Sequence, residues 1–150
     1  MYIPQKCQYA LRALFELARH YDEGPVKIAE IAKAQSIPPR FLEIILGQLK
    51  HGAFVDSQRG NGGGYYLLRD PEGLSVGEVI RFMQGSLGPV LCVAGKEEEK
   101  RCPLRGSCVF LSMWKEVKDV VSQVYDSTTF AKLVERDRRM RQEYVANYTI

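Results

Sequence analysis

Three of the four cysteines stand close together in the second half of the chain, at Cys92, Cys102 and Cys108. Nine residues separate the first two and five separate the last two. Thiolates bind zinc and iron–sulfur clusters. Structural zinc sites usually contain cysteine pairs two to four residues apart, and this sequence has no such pair. The spacing therefore favours an iron–sulfur cluster, and three reduced, unligated thiols are the alternative.

Three thiolates leave one ligand position open on such a cluster. Cys7 is the only other cysteine in the sequence. If the chain dimerises, the first helix of the partner subunit is placed to donate this residue. Cys7 is therefore a candidate for the fourth ligand, and a packed, unligated thiol is an equal alternative.

The elements that precede the cysteines form a recognisable unit. Apolar periodicity predicts helices over about 8–20, 27–34 and 39–50, and the short turn between the last two makes a helix-turn-helix. Pro39 takes the first helical position, which tolerates proline. Two β-prone runs then flank the glycines of 60–64 and predict a hairpin, the wing of a winged helix. The predicted fold is mainly α with a small β-hairpin wing.

The second half is predicted to contain three helices and a long loop. Ser75 and Glu78 form a capping box at the start of the first of these helices, whereas residues 86–108 show no periodicity. A long helix over about 110–125 carries an apolar seam that suits either a coiled-coil pair or an intramolecular core. The seam consists of Phe110, Trp114, Val117, Val121 and Val124. Residues 126–128 are predicted to cap a last short helix, and the charged run 135–141 to be a solvated helix face or a frayed tail.

Composition and charge exclude several classes of protein. The 150 residues are 45% hydrophobic, and no apolar run approaches the roughly 20 residues needed to span a bilayer. We expect a cytoplasmic protein without membrane contact, since no secretion signal opens the chain. Residues 1–69 hold nine basic and six acidic side chains, so a polyanion should meet this half. No catalytic triad, paired carboxylates or phosphate-binding loop is evident, and we predict no enzymatic activity.

Several motifs together resemble the Rrf2 family of bacterial winged-helix transcription regulators. They follow the family order over nearly the whole chain. The matching stretches are YALRAL at 9–14, GPV at 24–26, FLE at 41–43, RGNGGGY at 59–65, SVGEVI at 75–80 and CPLRGSC at 102–108. The resemblance implies a homodimer on a double-stranded DNA operator. It divides the chain into a DNA-binding domain (1–84), a cysteine-bearing cluster loop (85–108) and a dimerisation helix with a C-terminal helix or tail (109–150).

The resemblance also implies where DNA is bound. The third helix would enter the major groove and the wing would approach the minor groove or the phosphates. The residues predicted to contact DNA are Arg40, Gln48, Lys50, Arg59, Asn61, Gly62 and Gly63. In this prediction the wing glycines permit a close approach to the phosphate chain.

Family members with three loop cysteines carry a 2Fe–2S or 4Fe–4S cluster, which implies a sensor of redox state, nitric oxide or iron supply. This chain has four extra residues between its first two loop cysteines. In related regulators an N-terminal residue of the partner completes the site, at the position of Gln8, and from this resemblance we predict the adjacent Cys7 as the fourth ligand. Gln8, a glutamate among 97–99 or a small external molecule are therefore the other candidates for fourth ligand. The alternative function is a cluster-free regulator of cysteine or sulfur metabolism that uses thiol redox chemistry or a partner enzyme.

Overall fold

The computed structural model describes residues 2–148, which form seven α-helices and one antiparallel pair of strands. The elements are α1 (Gln5–Arg19), α2 (Ile28–Gln35), α3 (Pro39–His51), β1 (Val55–Gln58), β2 (Gly64–Leu67), α4 (Val76–Gln84), α5 (Lys96–Arg101), α6 (Leu111–Ser127) and α7 (Phe130–Tyr148). This order confirms the predicted mainly helical fold with a hairpin wing. The outermost predicted boundaries, at residues 1 and 150, lie outside the described residues.

The apolar stripes of α1 and α3 form the main core together with α2. The predicted stripe of α1, which is Ala10, Ala13, Leu14, Leu17 and Ala18, is buried throughout. The inward residues of α3, Leu42, Ile45, Leu46 and Leu49, are buried as well. Burial of a large aliphatic side chain contributes about 1.5–3 kcal/mol, so these two stripes fix how α3 lies on α1.

The turn between α2 and α3 is held from both sides. Ser36 adopts a left-handed conformation with φ of 50°, and the buried Ile37 donates its N–H to the Ala32 carbonyl at 3.0 Å. The guanidinium of Arg12 donates to the Gln35 carbonyl. Pro39 occupies the first position of α3, as predicted. These contacts set the angle between the two helices of the helix-turn-helix.

The buried carboxylate of Glu16 belongs to a network that connects α1 with the end of α2 and with α7. Glu16 is buried, accepts a hydrogen bond from the Gln35 side chain at 2.7 Å and pairs with Arg19 at 3.1 Å. Arg19 in turn lies 3.5 Å from Asp137 on α7. Because a buried carboxylate must be paired and hydrogen-bonded, this network ties α1 to the end of α2 and to α7.

The hairpin is short and is extended by a single residue of the chain before α2. Val55 pairs with Leu67 and Gln58 with Gly64. Val26 exchanges two backbone hydrogen bonds of 2.8 Å with Tyr65, which adds a one-residue third strand. The wing is therefore anchored to the helix-turn-helix and is not a free loop.

The second half departs from the prediction in two places. The region expected to be structureless holds a 3-10 turn at Leu91–Val93 and the short helix α5. The last helix is capped by Thr129, which accepts from the Lys132 N–H at 3.3 Å, and it is long rather than short. The charged run is helical because it contains ion pairs four residues apart, Glu135–Arg139 and Asp137–Arg141.

The junction between α6 and α7 is attached firmly to α4. Ser75 and Glu78 form the predicted capping box. The guanidinium of Arg81 binds both carboxylate oxygens of Asp126, at 2.6 and 2.8 Å. A Cβ added to Gly77 would lie 1.9 Å from the Asp126 carboxylate, so a larger residue at this position must displace the pair. This ion pair therefore connects the end of α6 with α4.

Candidate nucleic-acid interface and cysteine loop

One side of α3 faces away from the core along its whole length. Arg40, Ile44, Gly47 and His51 follow one another at spacings of four, three and four, which places them on one line along the helix. We call these four residues the α3 crest. All four are exposed, and Gln48 lies exposed beside them. The structure thus presents a face of α3 that the described part of the chain, residues 2–148, does not cover.

The cationic residues of α3 and the wing differ in whether they form ion pairs and hydrogen bonds within the described chain. Arg40 on α3 and Arg59 on the wing are exposed, and within residues 2–148 neither forms an ion pair or a side-chain hydrogen bond. Lys50, in contrast, lies 2.8 Å from the Asp56 carboxylate and 2.7 Å from the Ser57 hydroxyl. The hydrogen bond from Lys50 lowers the pKa of Asp56. Lys50 therefore joins α3 to β1, and its predicted contact with DNA would compete with this pair.

The glycines of the wing have different roles. Gly62 is exposed, and a Cβ there would meet nothing within 4 Å. Gly63 is buried, and a Cβ there would lie 2.2 Å from the Gln58 carbonyl oxygen. Gly64 has φ of +155° and approaches the Val26 carbonyl closely. Close approach to a phosphate is therefore open to Gly62 and the exposed Asn61, whereas Gly63 is needed to close the turn.

The three loop cysteines lie in the 3-10 turn, at the end of α5 and in the irregular segment before α6. Cys92 is in the 3-10 turn, Cys102 follows the last residue of α5, and Cys108 precedes α6, where its backbone carbonyl accepts a hydrogen bond from Leu111 N–H at 3.3 Å. All three thiols are half-buried. The 3-10 turn contacts both α5 and α6. The cysteines therefore belong to one local unit beside the start of α6.

In the described part of the chain, no three histidine, cysteine, aspartate or glutamate side chains are gathered closely enough to hold a metal ion. The chemistry of the donor set nevertheless suits an iron–sulfur cluster, because the chain holds three partly accessible thiols between the 3-10 turn and the start of α6, and that turn contacts both α5 and α6. Cys92, Cys102 and Cys108 are the residues that would hold it.

Cys7 has a different environment from the loop cysteines. It is 1% exposed and packs with Ile80 and Leu87 in a small apolar cluster within its own protomer. Burial raises the pKa of the Cys7 thiol, which disfavours the thiolate that iron requires. This environment favours the packed thiol that the sequence left as the alternative.

The other candidates for a fourth ligand are already engaged in part. The Gln8 amide donates to the Ile3 carbonyl at 2.8 Å. Glu97 pairs with Lys100 at 2.6 Å, and Glu99 lies 3.4 Å from Lys115 on α6. The side chain of Glu98 lies outside the described part of the structure.

The long helix α6 has an apolar face that the chain leaves open. None of its residues is buried. The exposed apolar residues at and before it are Phe110, Met113, Val117, Val120 and Val124, spaced alternately by three and four. Trp114 and Val121, which the sequence placed in the seam, are half-buried. The open seam is therefore rotated slightly from the predicted one, toward Met113 and Val120.

Sequence reasoning did not single out two features of this surface. Lys6, near the start of α1, lines a cleft of about 600 Å³ with Phe41 and Ile44 of α3. Gly47, in the middle of α3, has open space where a Cβ would be. A glycine inside an otherwise regular helix was the signal available for the second.

None of the described helices combines the length and apolarity needed to cross a membrane.

Comparison with known proteins identifies the family of this chain. The Rrf2 family model, described as "Iron-dependent Transcriptional regulator", matches residues 3–136. The transcriptional regulator CymR of Bacillus subtilis is 32% identical over 133 residues, 89% of each chain. The regulator IscR of Yersinia pseudotuberculosis is 33% identical over 89% of this chain and 79% of its own.

Comparison with solved structures indicates the same family. The structure of CymR, the "Global Cysteine Regulator of B. subtilis", superposes with a TM-score of 0.74 at 31% identity and covers 91% of this chain and 98% of that one. IscR of T. potens superposes with a TM-score of 0.72 at 32% identity, over 91% and 88%. These relatives are transcriptional regulators and not enzymes. The chain belongs to the Rrf2 family of winged-helix transcription regulators.

Proposed function

We propose that the protein is a homodimeric regulator that binds a double-stranded DNA operator through α3 and the wing. The observation that carries this proposal is the exposed α3 crest, with the unpaired Arg40 at one end, on a helix in contact with β1 of the wing. The surrounding residues 1–69 carry nine basic and six acidic side chains, which suits a polyanion.

Each predicted DNA contact has a proposed role that follows from its position. Arg40 and Gln48 reach bases or phosphates in the major groove. Arg59, Asn61 and Gly62 approach the minor groove or its phosphates from the wing. Gly63 contributes by shaping the turn, and Lys50 contributes only if it exchanges Asp56 for a phosphate.

Dimerisation is proposed through the open seam of α6. Its exposed apolar residues alternate by three and four, the spacing at which two helices pack as a coiled coil. A second copy of the chain presents the same seam, so a two-fold arrangement buries both at once. Two DNA-binding domains then face one operator.

The cysteine loop is proposed as the sensor. Cys92, Cys102 and Cys108 would hold an iron–sulfur cluster, which supplies one-electron chemistry and reactivity toward nitric oxide. Cys108 lies just before α6, and α6 is bound to α4 through Asp126 and Arg81. A rearrangement of the loop would therefore reach the DNA-binding domain through α6.

A second candidate function is a cluster-free regulator of cysteine or sulfur metabolism that uses thiol redox chemistry or a partner enzyme. Two observations favour it: the likeness to CymR, and the absence of an assembled metal-holding group among residues 2–148. Purification under nitrogen separates the candidates. Equimolar iron and acid-labile sulfide that are lost in Cys102→Ser indicate a cluster, whereas colourless, iron-free protein indicates the alternative.

The fourth ligand is tested in the same preparations with Cys7→Ser. If Cys7 is a ligand, this variant loses iron and sulfide or changes its visible spectrum. If Cys7 is a packed thiol, the cluster is retained in full and the variant differs only in stability.

The DNA-binding proposal is tested with a duplex selected by the protein from a randomised library. Arg59→Ala should weaken binding by about 1–3 kcal/mol, measured by fluorescence anisotropy at physiological salt. Arg138→Ala on α7 removes the same charge from an exposed site and is the matched control. Failure to select any duplex, or equal losses in the two variants, would contradict the proposal.

A further inference from the structure

The middle of the α3 crest is apolar, although both of its ends carry basic side chains. Ile44 is 56% exposed and lies between Arg40 and His51 on the same line of the helix. Phe41, one turn earlier on the flank, is exposed to the same extent. Ile44 and Phe41 line the same cleft and together form an exposed apolar patch on α3, which suits a partner that has apolar groups of its own.

Ile44 also stands on a ridge between two clefts. On one side it lines a cleft with Lys6 and Tyr9 of α1. On the other side it lines a cleft of about 350 Å³ with Gln48 and Phe82. A projecting helix with a cleft on either side has the shape that enters a groove of DNA, with the two sugar–phosphate strands passing along its flanks.

Gly47 gives independent evidence for a close approach at the same point. It lies one turn after Ile44, and a Cβ there would meet nothing within 4 Å in the chain. Packing within the protein therefore does not require glycine, even though glycine weakens a helix interior. The missing side chain leaves the helix backbone accessible directly beside Ile44.

We infer that Ile44 recognises the C5-methyl group of thymine in the major groove and so determines part of the operator sequence. This inference rests on the proposed DNA-binding function. The thymine methyl is the only apolar group that a base pair presents in the major groove. Lys6 and Arg40, which lie along the same surface, provide the positive charge that a duplex needs and an apolar protein partner does not.

The test removes only the methyl group. A duplex selected by the wild-type protein is prepared with each thymine replaced in turn by deoxyuridine, and binding is measured by anisotropy. Loss of one buried methyl contact corresponds to about a fourfold weaker affinity for each half-site. We expect this loss at one symmetric pair of positions for the wild type and no such loss for Ile44→Ala, whose affinity for the thymine duplex is already reduced.

Leu68→Ala is the matched control, because Leu68 is an exposed apolar residue of the same domain outside α3. It should retain full sensitivity to the missing methyl. Wild-type binding that does not change at any deoxyuridine position, or an equal loss in Ile44→Ala, would overturn the inference and leave DNA binding intact. An Ile44→Ala protein that binds DNA normally but changes its oligomeric state would overturn it as well and assign Ile44 to a protein contact. Absence of any selected duplex would refute the proposed function itself.

Discussion

Replacement of Gly47 by alanine is expected to have opposite effects on folding and on DNA binding. Gly47 lies in the interior of α3, and the added Cβ has no neighbour within 4 Å. Alanine is more favourable than glycine in a helix interior by about 1 kcal/mol. Gly47→Ala should therefore raise the free energy of unfolding by about this amount, or the melting temperature by about 2–4 °C for a chain of this size.

The same methyl should weaken operator binding. If the backbone at Gly47 approaches the bases closely, the methyl must displace the helix or the DNA, and overpacking of a close contact costs about 1–3 kcal/mol. This corresponds to an affinity at least about fivefold lower. Thermal unfolding followed by circular dichroism and anisotropy titration of one preparation give both quantities.

Gly77→Ala is the contrasting variant, since a Cβ there collides with the Asp126 carboxylate. It should therefore gain less stability than Gly47→Ala, because displacement of the Arg81–Asp126 pair offsets the gain in helix propensity. If Gly47→Ala is stabilised and binds DNA as tightly as the wild type, α3 does not approach the duplex at this point. If it is destabilised, the description of α3 as open at Gly47 is wrong.

Three further predictions concern the ion pair between α4 and α6, the buried carboxylate of α1 and the apolar seam of α6. Because Arg81 lowers the pKa of Asp126, the pair stabilises the fold above the ordinary pKa of an aspartate and the stabilisation is lost as pH falls through the lowered value. Asp126→Asn should therefore lose about 0.2–1 kcal/mol at pH 7, the range of exposed ion pairs, and nothing in acid, as measured by urea unfolding at each pH. Glu16→Ala should lose about 1–3 kcal/mol in the same assay, since the partly buried donors Gln35 and Arg19 lose their acceptor, and a smaller loss would contradict the proposed role of this network. Val117→Glu in the open seam of α6 should give monomers by light scattering while the circular dichroism spectrum is kept, whereas a dimer of unchanged stability would place the interface elsewhere.

The sequence was sufficient for the elements whose signals are local. The helix-turn-helix, the hairpin and the Ser75–Glu78 capping box follow from apolar periodicity, glycine-rich turns and a short motif, and the structure confirms them. The last helix was predicted too short, because the charged run has little apolar periodicity and its stability depends on ion pairs such as Asp137–Arg141. Short helices such as α5, with six residues, fall below the length at which periodicity is visible.

The candidate site was predictable in composition but not in detail. Local sequence patterns do not predict contacts between elements. They therefore could not predict that Lys50 pairs with Asp56 or that Gly63 lies against the Gln58 carbonyl. The rotation of the α6 seam has the same origin, since Trp114 and Val121 are half-buried and Met113 is exposed. Burial of Cys7 likewise depends on the packing of α1 with Ile80 of α4.

Hydroxyl-radical footprinting of the full-length protein on its selected duplex tests the central claim most directly. A homodimer that places one α3 in the major groove of each half-site should protect two equivalent segments related by a two-fold axis, with centres one or two helical turns apart. Arg59→Ala should weaken the protection that flanks these segments at the wing contacts. A single protected segment without two-fold symmetry, or protection that is unaffected by substitutions in both α3 and the wing, would contradict the proposed mode of binding.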